Sequence, residues 1–212
     1  MELTKNKPES GCGIYSQSRT IESNDDWKVA RKVAAEMEKF FDENNGKFKG
    51  NHPFAFAISH CQITDTDAPF KLFIVAKELC EVDIKDTKRT TTNWNFPARA
   101  IYNLEVLETP EKIMRKMPKR TPVRDGNKVS VTVSLEEKEI SNVLEVKEGC
   151  MSFPHKTEKT TNRYFRIKVR YQTAPSGLFK TMSSPEMHEE WVEGLKAHIL
   201  QHEFDHDNGK NI

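Results

Sequence analysis

Six residues, Gln201-His202-Glu203-Phe204-Asp205-His206, constrain this chain more than any other stretch. They contain the pattern H-E-x-x-H. On a helix, His202 and His206 stand at i and i+4, so both imidazoles leave one face a single turn apart. That separation lets one divalent metal take a nitrogen from each. Glu203 lies about 100° round the helix from His202, where its carboxylate reaches a water at the metal without ligating. The plain alternative is a surface helix with two unrelated histidines.

Zinc proteases with this signature take a third ligand from a Glu or His further downstream. Within this sequence only Asp207 to Ile212 follow, with neither residue type among them. The third ligand is therefore expected upstream. Cys150, in Glu148-Gly149-Cys150-Met151-Ser152, is the best candidate, because a thiolate beside a glycine can be presented on a tight turn. Three protein ligands leave a fourth position for water, as in catalytic rather than structural sites. His198, one turn before His202, is also conceivable as a third imidazole ligand; the other reading is that it lines a substrate pocket.

E-G-C-M-S followed by Q-H-E-F-D-H resembles the peptide deformylases, metal hydrolases that remove the formyl group from the initiator methionine of new polypeptides. Their remaining motif, G-x-G-[LI]-A-A-x-Q, maps onto Ala55-Phe56-Ala57-Ile58-Ser59-His60-Cys61-Gln62. This segment stands between a helix and a strand, as in the family. Alanine replaces both glycines, Ser59-His60 replaces the Ala-Ala pair, and Gln62 falls on the family's catalytic glutamine. The added methyl groups would narrow a cleft where backbone runs beside substrate. Read without the resemblance, Gln62 is a polar residue at a strand end. An earlier imitation, Gly11-Cys12-Gly13-Ile14 with Gln17, has its glutamine one residue early and precedes the first helix.

The surrounding chain organises around these motifs. Residues 1–24 read as a polar, loosely ordered arm. Residues 25–45 read as a helix capped by Asn24 or Asp25 and stopped by Gly46, with Val29, Val33, Met37, Phe40 and Phe41 on one apolar face. Phe70 to Val75 has the composition of a strand. Residues 77–143 read as an insertion around a strand, Ala98 to Leu107, that resembles one of the family's. A hairpin follows, turning at Asp125-Gly126, with Val129, Val131 and Val133 alternating. Residues 110–128 carry seven basic side chains against Glu111 and Asp125: a solvated face, or a patch for ribosomal RNA. Arg163 to Tyr171 alternates as a half-buried strand through Phe165, Ile167 and Val169, before a turn at Pro175-Ser176-Gly177. The last helix starts either at Ser184, with Pro185 in its first position, or nearer Gly194.

Net charge is +1, so nothing global favours DNA. With 31% charged and 36% hydrophobic residues, the chain suits a soluble protein with a modest core. No apolar run reaches membrane-spanning length, and the first 24 residues lack a signal-peptide core. The four cysteines show no C-x-x-C pairing, as expected in a reducing compartment. A cytoplasmic location follows.

The resemblance implies an α+β fold with antiparallel sheets around a central metal-binding helix, in one catalytic domain over 25–212. It implies one divalent metal on Cys150, His202 and His206, natively Fe(II), with Zn(II) or Ni(II) in purified samples. Such a metal lowers the pKa of bound water towards about 7. Glu203 then acts as general base and acid, with Gln62 and the Met151 backbone N–H as oxyanion donors. The substrate's methionine side chain would lie near Phe56, Ala57, Gly149, Met151, His198 and Ile199, and Arg163 would pair with Asp205. The implied partners are formyl-Met nascent peptides and, transiently, the ribosome, with no membrane and no specific DNA. Two other functions fit the altered first motif: a deacylase for a different N-acyl group, and a catalytically weak, metal-stabilised binding module.

Overall fold

The computed structural model describes residues 17–44, 56–63, 68–79, 95–125, 128–150, 159–175 and 184–210. The turns at Asp125-Gly126 and Pro175-Ser176-Gly177 fall wholly or partly outside these residues, as do Gly46, Ala55, Met151 and the Gly11-Cys12-Gly13 imitation.

The first helix, α1, spans Asn24–Asn44. Its cap is Ser23, one residue before the expected Asn24: Ser23 Oγ accepts from Asp26 N–H at 3.0 Å, and Asp26 Oδ2 accepts from the Ser23 N–H at 3.4 Å. The buried face is also rotated from the expected one. It comprises Trp27, Ala30, Ala34, Met37 and Phe41, while Val29 is half exposed. The alanines are why. Small side chains let the helix axis come close to β2, and the larger valines are pushed to the flank.

Five strands form the main antiparallel sheet, in the order β1 (Ala57–Ser59), β2 (Leu72–Val75), β3 (Ala100–Glu108), β8 (Arg166–Thr173) and β9 (Glu186–Glu193). Strand β2 is buried throughout, which accounts for its unbroken apolar run Leu-Phe-Ile-Val. Strand β8 alternates strictly, burying Ile167, Val169, Tyr171 and Thr173. Ile167, Val169 and Tyr171, with Phe73, Ile74, Ile101 and Leu104, form one core with Met37 and Phe41 of α1 and Ala197 and Leu200 of the last helix, α2 (Gly194–Asp207).

The final helix takes the later of its two expected starts. The residues after Ser184-Pro185 pair instead with β8 as strand β9, from Thr173↔Glu186 to Arg166↔Glu193. The backbone switches to helix at Gly194, whose φ of 61° suits glycine. Part of the expected N-terminal arm is also docked. Ser18 N–H donates to the Asp207 carbonyl at 2.8 Å, Arg19 bridges Phe70, and Ile21 is bracketed by both ends of the Asn103 side chain at 2.9 Å.

Two ribbons leave the main sheet. The expected hairpin is a long pair, β4 (Lys112–Asp125) with β5 (Lys128–Ser141). The second pairs β6 (Val143–Glu148) with β7 (Lys159–Tyr164). The single strand expected from Arg163 to Tyr171 is therefore two, bent at Phe165. Asn142, fully buried, fixes this junction: its side chain donates to the carbonyls of Pro110 (2.6 Å) and Arg166 (2.8 Å) and accepts from the Arg166 N–H. Among the described residues no helix is long and apolar enough to cross a membrane.

Candidate metal centre

Helix α2 packs against β1, β3, β7, β8 and β9, so its sides are buried almost all round. Gln201 pins it to the end of β7, accepting from Tyr164 N–H at 2.9 Å and donating to the Tyr164 carbonyl at 2.8 Å. In its first turn Lys196, buried, reaches Glu190 of β9 at 2.9 Å and the Asn95 carbonyl at 3.1 Å. These anchors set both the rotation and the height of the helix.

His202 and His206 consequently present their Nε2 atoms to one point, 3.1 Å apart. Cys150 lies two residues past the end of β6, and its Sγ is 3.4 Å from His206 Nε2. The three donor atoms all lie within 4.8 Å of one another. Tetrahedral N and S ligands at about 2.1 and 2.3 Å from a metal stand roughly 3.4–3.7 Å apart, so the two His206 spacings are near those of one divalent ion, and the widest spacing has to close by about 1 Å. Cysteine and histidine donors in this set suit a transition metal rather than Mg or Ca.

Electrostatics point the same way. Burial pushes His202 down, but hydrogen bonds with Cys150 and Glu148 and the charge of Glu203 outweigh it and carry its pKa up to about 10. His206 is pushed well below the usual histidine range, first by burial and then by the charge on His202. His202 thus holds a proton beside Glu148, at the place a divalent cation would take.

The surrounding shell is a charge network. Glu148 accepts from Arg163 Nε at 2.5 Å and Nη2 at 2.8 Å, and contacts His202 Nδ1 at 3.0 Å. Its carboxyl is held well below the usual carboxylate range, since bonds from Arg163, His198 and His202 outweigh the opposing effect of burial. Arg163 also reaches Asp205 at 2.5 Å, which Lys210 approaches from the solvent side.

Glu203 is almost fully buried, and Ser59 Oγ donates to its Oε2 at 2.5 Å. Burial raises its pKa, opposed by the charge of His202 and the Ser59 bond. Gln62 ends a single 3₁₀ turn, His60–Gln62, that follows β1. Its Oε1 accepts from the Ser59 N–H at 2.7 Å, and its Nε2 donates to Cys150 Sγ at 3.3 Å. His60 points away from this centre. Its Nδ1 accepts from Phe70 N–H at 2.9 Å, and burial lowers its pKa to about 4.

The sequence-expected residues fall into two groups. Cys150, His202, His206, Glu203 and Gln62 converge, and Arg163 meets Asp205. His198 turns to Glu148 and lies outside the three-donor cluster. Ile199 is in the core, Ala57 is buried in β1, Phe56 is exposed, and the site a Cβ on Gly149 would take has no heavy atom within 4 Å. Met151 lies outside the described residues. Two contributors went unassigned in the sequence. Glu148 was legible: a ligating histidine needs an acceptor at its second nitrogen, and Glu148 is the acid nearest Cys150. Ser59 carried no signal beyond its departure from an Ala-Ala pair.

The sequence model of the family described as polypeptide deformylase matches residues 14–212. A peptide deformylase of Thermotoga petrophila is 41% identical over 85 residues, 40% of this chain and 46% of the relative. One from Thermotoga maritima is 40% identical over the same shares. The matched region thus spans less than half the length of these relatives. In structure, the chain is similar to a peptide deformylase from Ehrlichia chaffeensis (TM-score 0.59, 17% identity, 99% of this chain and 84% of that one). It is also similar to a class I type b peptide deformylase from Acinetobacter baumannii (TM-score 0.55, 19% identity, 99% and 94%). These likenesses establish a shared α+β fold.

Proposed function

Because the chain belongs to the polypeptide deformylase family, we propose that it is a metal-dependent hydrolase that removes the N-formyl group from the initiator methionine of nascent polypeptides, releasing formate. The observation that carries this reading is the convergence of Cys150 Sγ and the Nε2 atoms of His202 and His206 beside a buried Glu203.

Cys150, His202 and His206 are the proposed ligands, with Fe(II) as the native ion and Zn(II) or Ni(II) as substitutes. When bound, the ion supplies Lewis acidity towards the formyl carbonyl and towards water. Everything else falls to the protein. Glu203 takes the proton from the attacking water and returns it to the leaving amine, so it serves first as base and then as acid. Gln62 and the Met151 N–H stabilise the tetrahedral oxyanion, a role in which one donor is worth about 3 kcal/mol. Glu148 fixes His202 through Nδ1, leaving Nε2 for the ion, and Arg163 and Asp205 hold Glu148 in turn. Phe56, Ala57, Gly149, Met151, His198 and Ile199 form the proposed substrate side of the site.

We further place 25–212 in one catalytic domain, with an insertion at about 77–143 that includes the β4–β5 ribbon. The ribbon carries eight Lys and Arg against four Asp and Glu in a chain of net charge +1, which supports a transient ribosome contact. A cytoplasmic location follows from that substrate.

The second reading, a deacylase for another N-acyl group, rests on the departures of the first motif, with Ala57 for glycine and Ser59-His60 for the Ala-Ala pair. A panel of formyl-, acetyl- and propionyl-Met tripeptides separates the two. Preference for formyl supports deformylation, and a higher kcat/KM for a larger acyl group refutes it.

A further inference from the structure

Among the described residues, the catalytic carboxylate proposed above has one side-chain hydrogen-bond partner. Glu203 is 3% exposed, and Ser59 Oγ donates to its Oε2 at 2.5 Å across 144 positions of sequence. Ser59 is itself fully buried, at the end of β1. It stands where the motif that this segment resembles carries alanine, a residue with no hydroxyl to give.

We propose that Ser59 is a positioning residue for Glu203, one that occupies Oε2 and so directs Oε1 at the centre. Without that donor the buried carboxylate would be free to rotate, since Ser59 is its one side-chain hydrogen-bond partner among the described residues. With one oxygen committed to a fixed hydroxyl, the second keeps one orientation relative to His202 and Cys150. The same residue anchors the other proposed catalytic side chain by a separate atom: its backbone N–H holds Gln62 Oε1 at 2.7 Å. Ser59 thus sets the base through its side chain and the oxyanion donor through its main chain. Ser59→Ala removes the hydroxyl and, with it, the side-chain half of the Ser59–Gln62 capping box, but keeps the main-chain bond to Gln62 Oε1 and installs a smaller residue that the motif already accommodates.

The inference rests on the deformylase reading, so two readouts are paired. In the metal-loaded enzyme, Ser59→Ala should lower kcat about tenfold or more, leave KM within about twofold, and leave metal stoichiometry unchanged. Infrared difference spectra of wild type against Ser59→Ala, taken metal-free and with Zn(II), should show a shifted carboxylate band. That shift should vanish when the pair is compared in a Glu203→Gln background. A kcat within twofold of wild type overturns the proposal, as does a parallel loss of kcat, KM and metal, which would mark a merely structural residue. An unshifted carboxylate band also overturns it. If wild type releases no formate, the deformylase reading fails, and the infrared comparison alone decides whether Ser59 holds Glu203.

Discussion

Nδ1 of His202 lies 3.0 Å from Oε2 of Glu148, a carboxylate that Arg163 grips through both oxygens. The contact fixes the imidazole ring and its tautomer, so that Nε2 faces His206 and Cys150. It links the rigidity of the β6–β7 ribbon to the chemistry of α2. Glu148→Gln keeps the shape and removes the charge. It should weaken metal binding by about 10- to 100-fold, read by competition with a chromophoric chelator. Unchanged affinity would mean that Glu148 merely neutralises Arg163.

Metal uptake should release protons. In the metal-free protein His202 keeps its proton up to about pH 10, and a ligating Nε2 cannot carry one. Zn(II) binding near pH 8 should therefore expel at least one proton, and apparent affinity should rise with pH below that pKa. Calorimetric titration in buffers of different ionisation enthalpy measures this directly. A binding enthalpy independent of buffer would contradict the assignment of His202 as a ligand.

His60 gives the fold a pH dependence unrelated to the metal. Its folded pKa is depressed to about 4 from 6.5, by burial first and by Arg19 second. The folded state therefore binds fewer protons than the unfolded one between these values, and stability rises with pH across that window. The contribution is complete above about 6.5, fades as pH falls towards 4, and is on the order of 3 kcal/mol in total. Urea unfolding at pH 7.5 and pH 5 should show a loss that shrinks in a His60→Asn variant. An equal loss in both proteins would assign it to other groups.

The metal helix was legible because its two ligands sit four residues apart on one element, where spacing fixes geometry. Cys150 was reached by elimination. Glu148's grip on His202, 54 positions away, was legible only through the need of a ligating histidine for an acceptor, and Ser59's on Glu203, 144 positions away, is reported by no local pattern. Helix α1 was legible as a helix, but two apolar ladders cross at Met37. Val29-Val33 is the more hydrophobic, yet Ala30-Ala34 packs closer to the sheet and wins. The bend at Phe165 was invisible because Arg163 and Ile167 are both buried, so alternation keeps its phase across the break. Strand β9 was ambiguous because Ser184-Pro185 also reads as a helix start, and only pairing with β8 makes it a strand.

The β4–β5 ribbon leaves Leu135, Val133 and Val131 largely exposed on one strand and sets most of its cations on the other. Lys112 and Lys119 are paired with Glu139 and Glu136, at 3.0 Å each. Neutralising Lys116, Lys119 and Arg120 together should lower co-sedimentation with ribosomes and flatten its salt dependence, leaving turnover of a free formyl-Met tripeptide intact. Unchanged co-sedimentation would make this a solvated face.

The central claim is that three protein ligands and one buried carboxylate together cleave a formyl group. Its most direct test is formate release from a formyl-Met tripeptide by anaerobically purified protein loaded with Fe(II) or Ni(II), wild type beside Glu203→Gln. The account predicts robust turnover by wild type and none by the variant, with one metal per chain retained in both. Undiminished formate release by Glu203→Gln, or none by metal-loaded wild type, would contradict it.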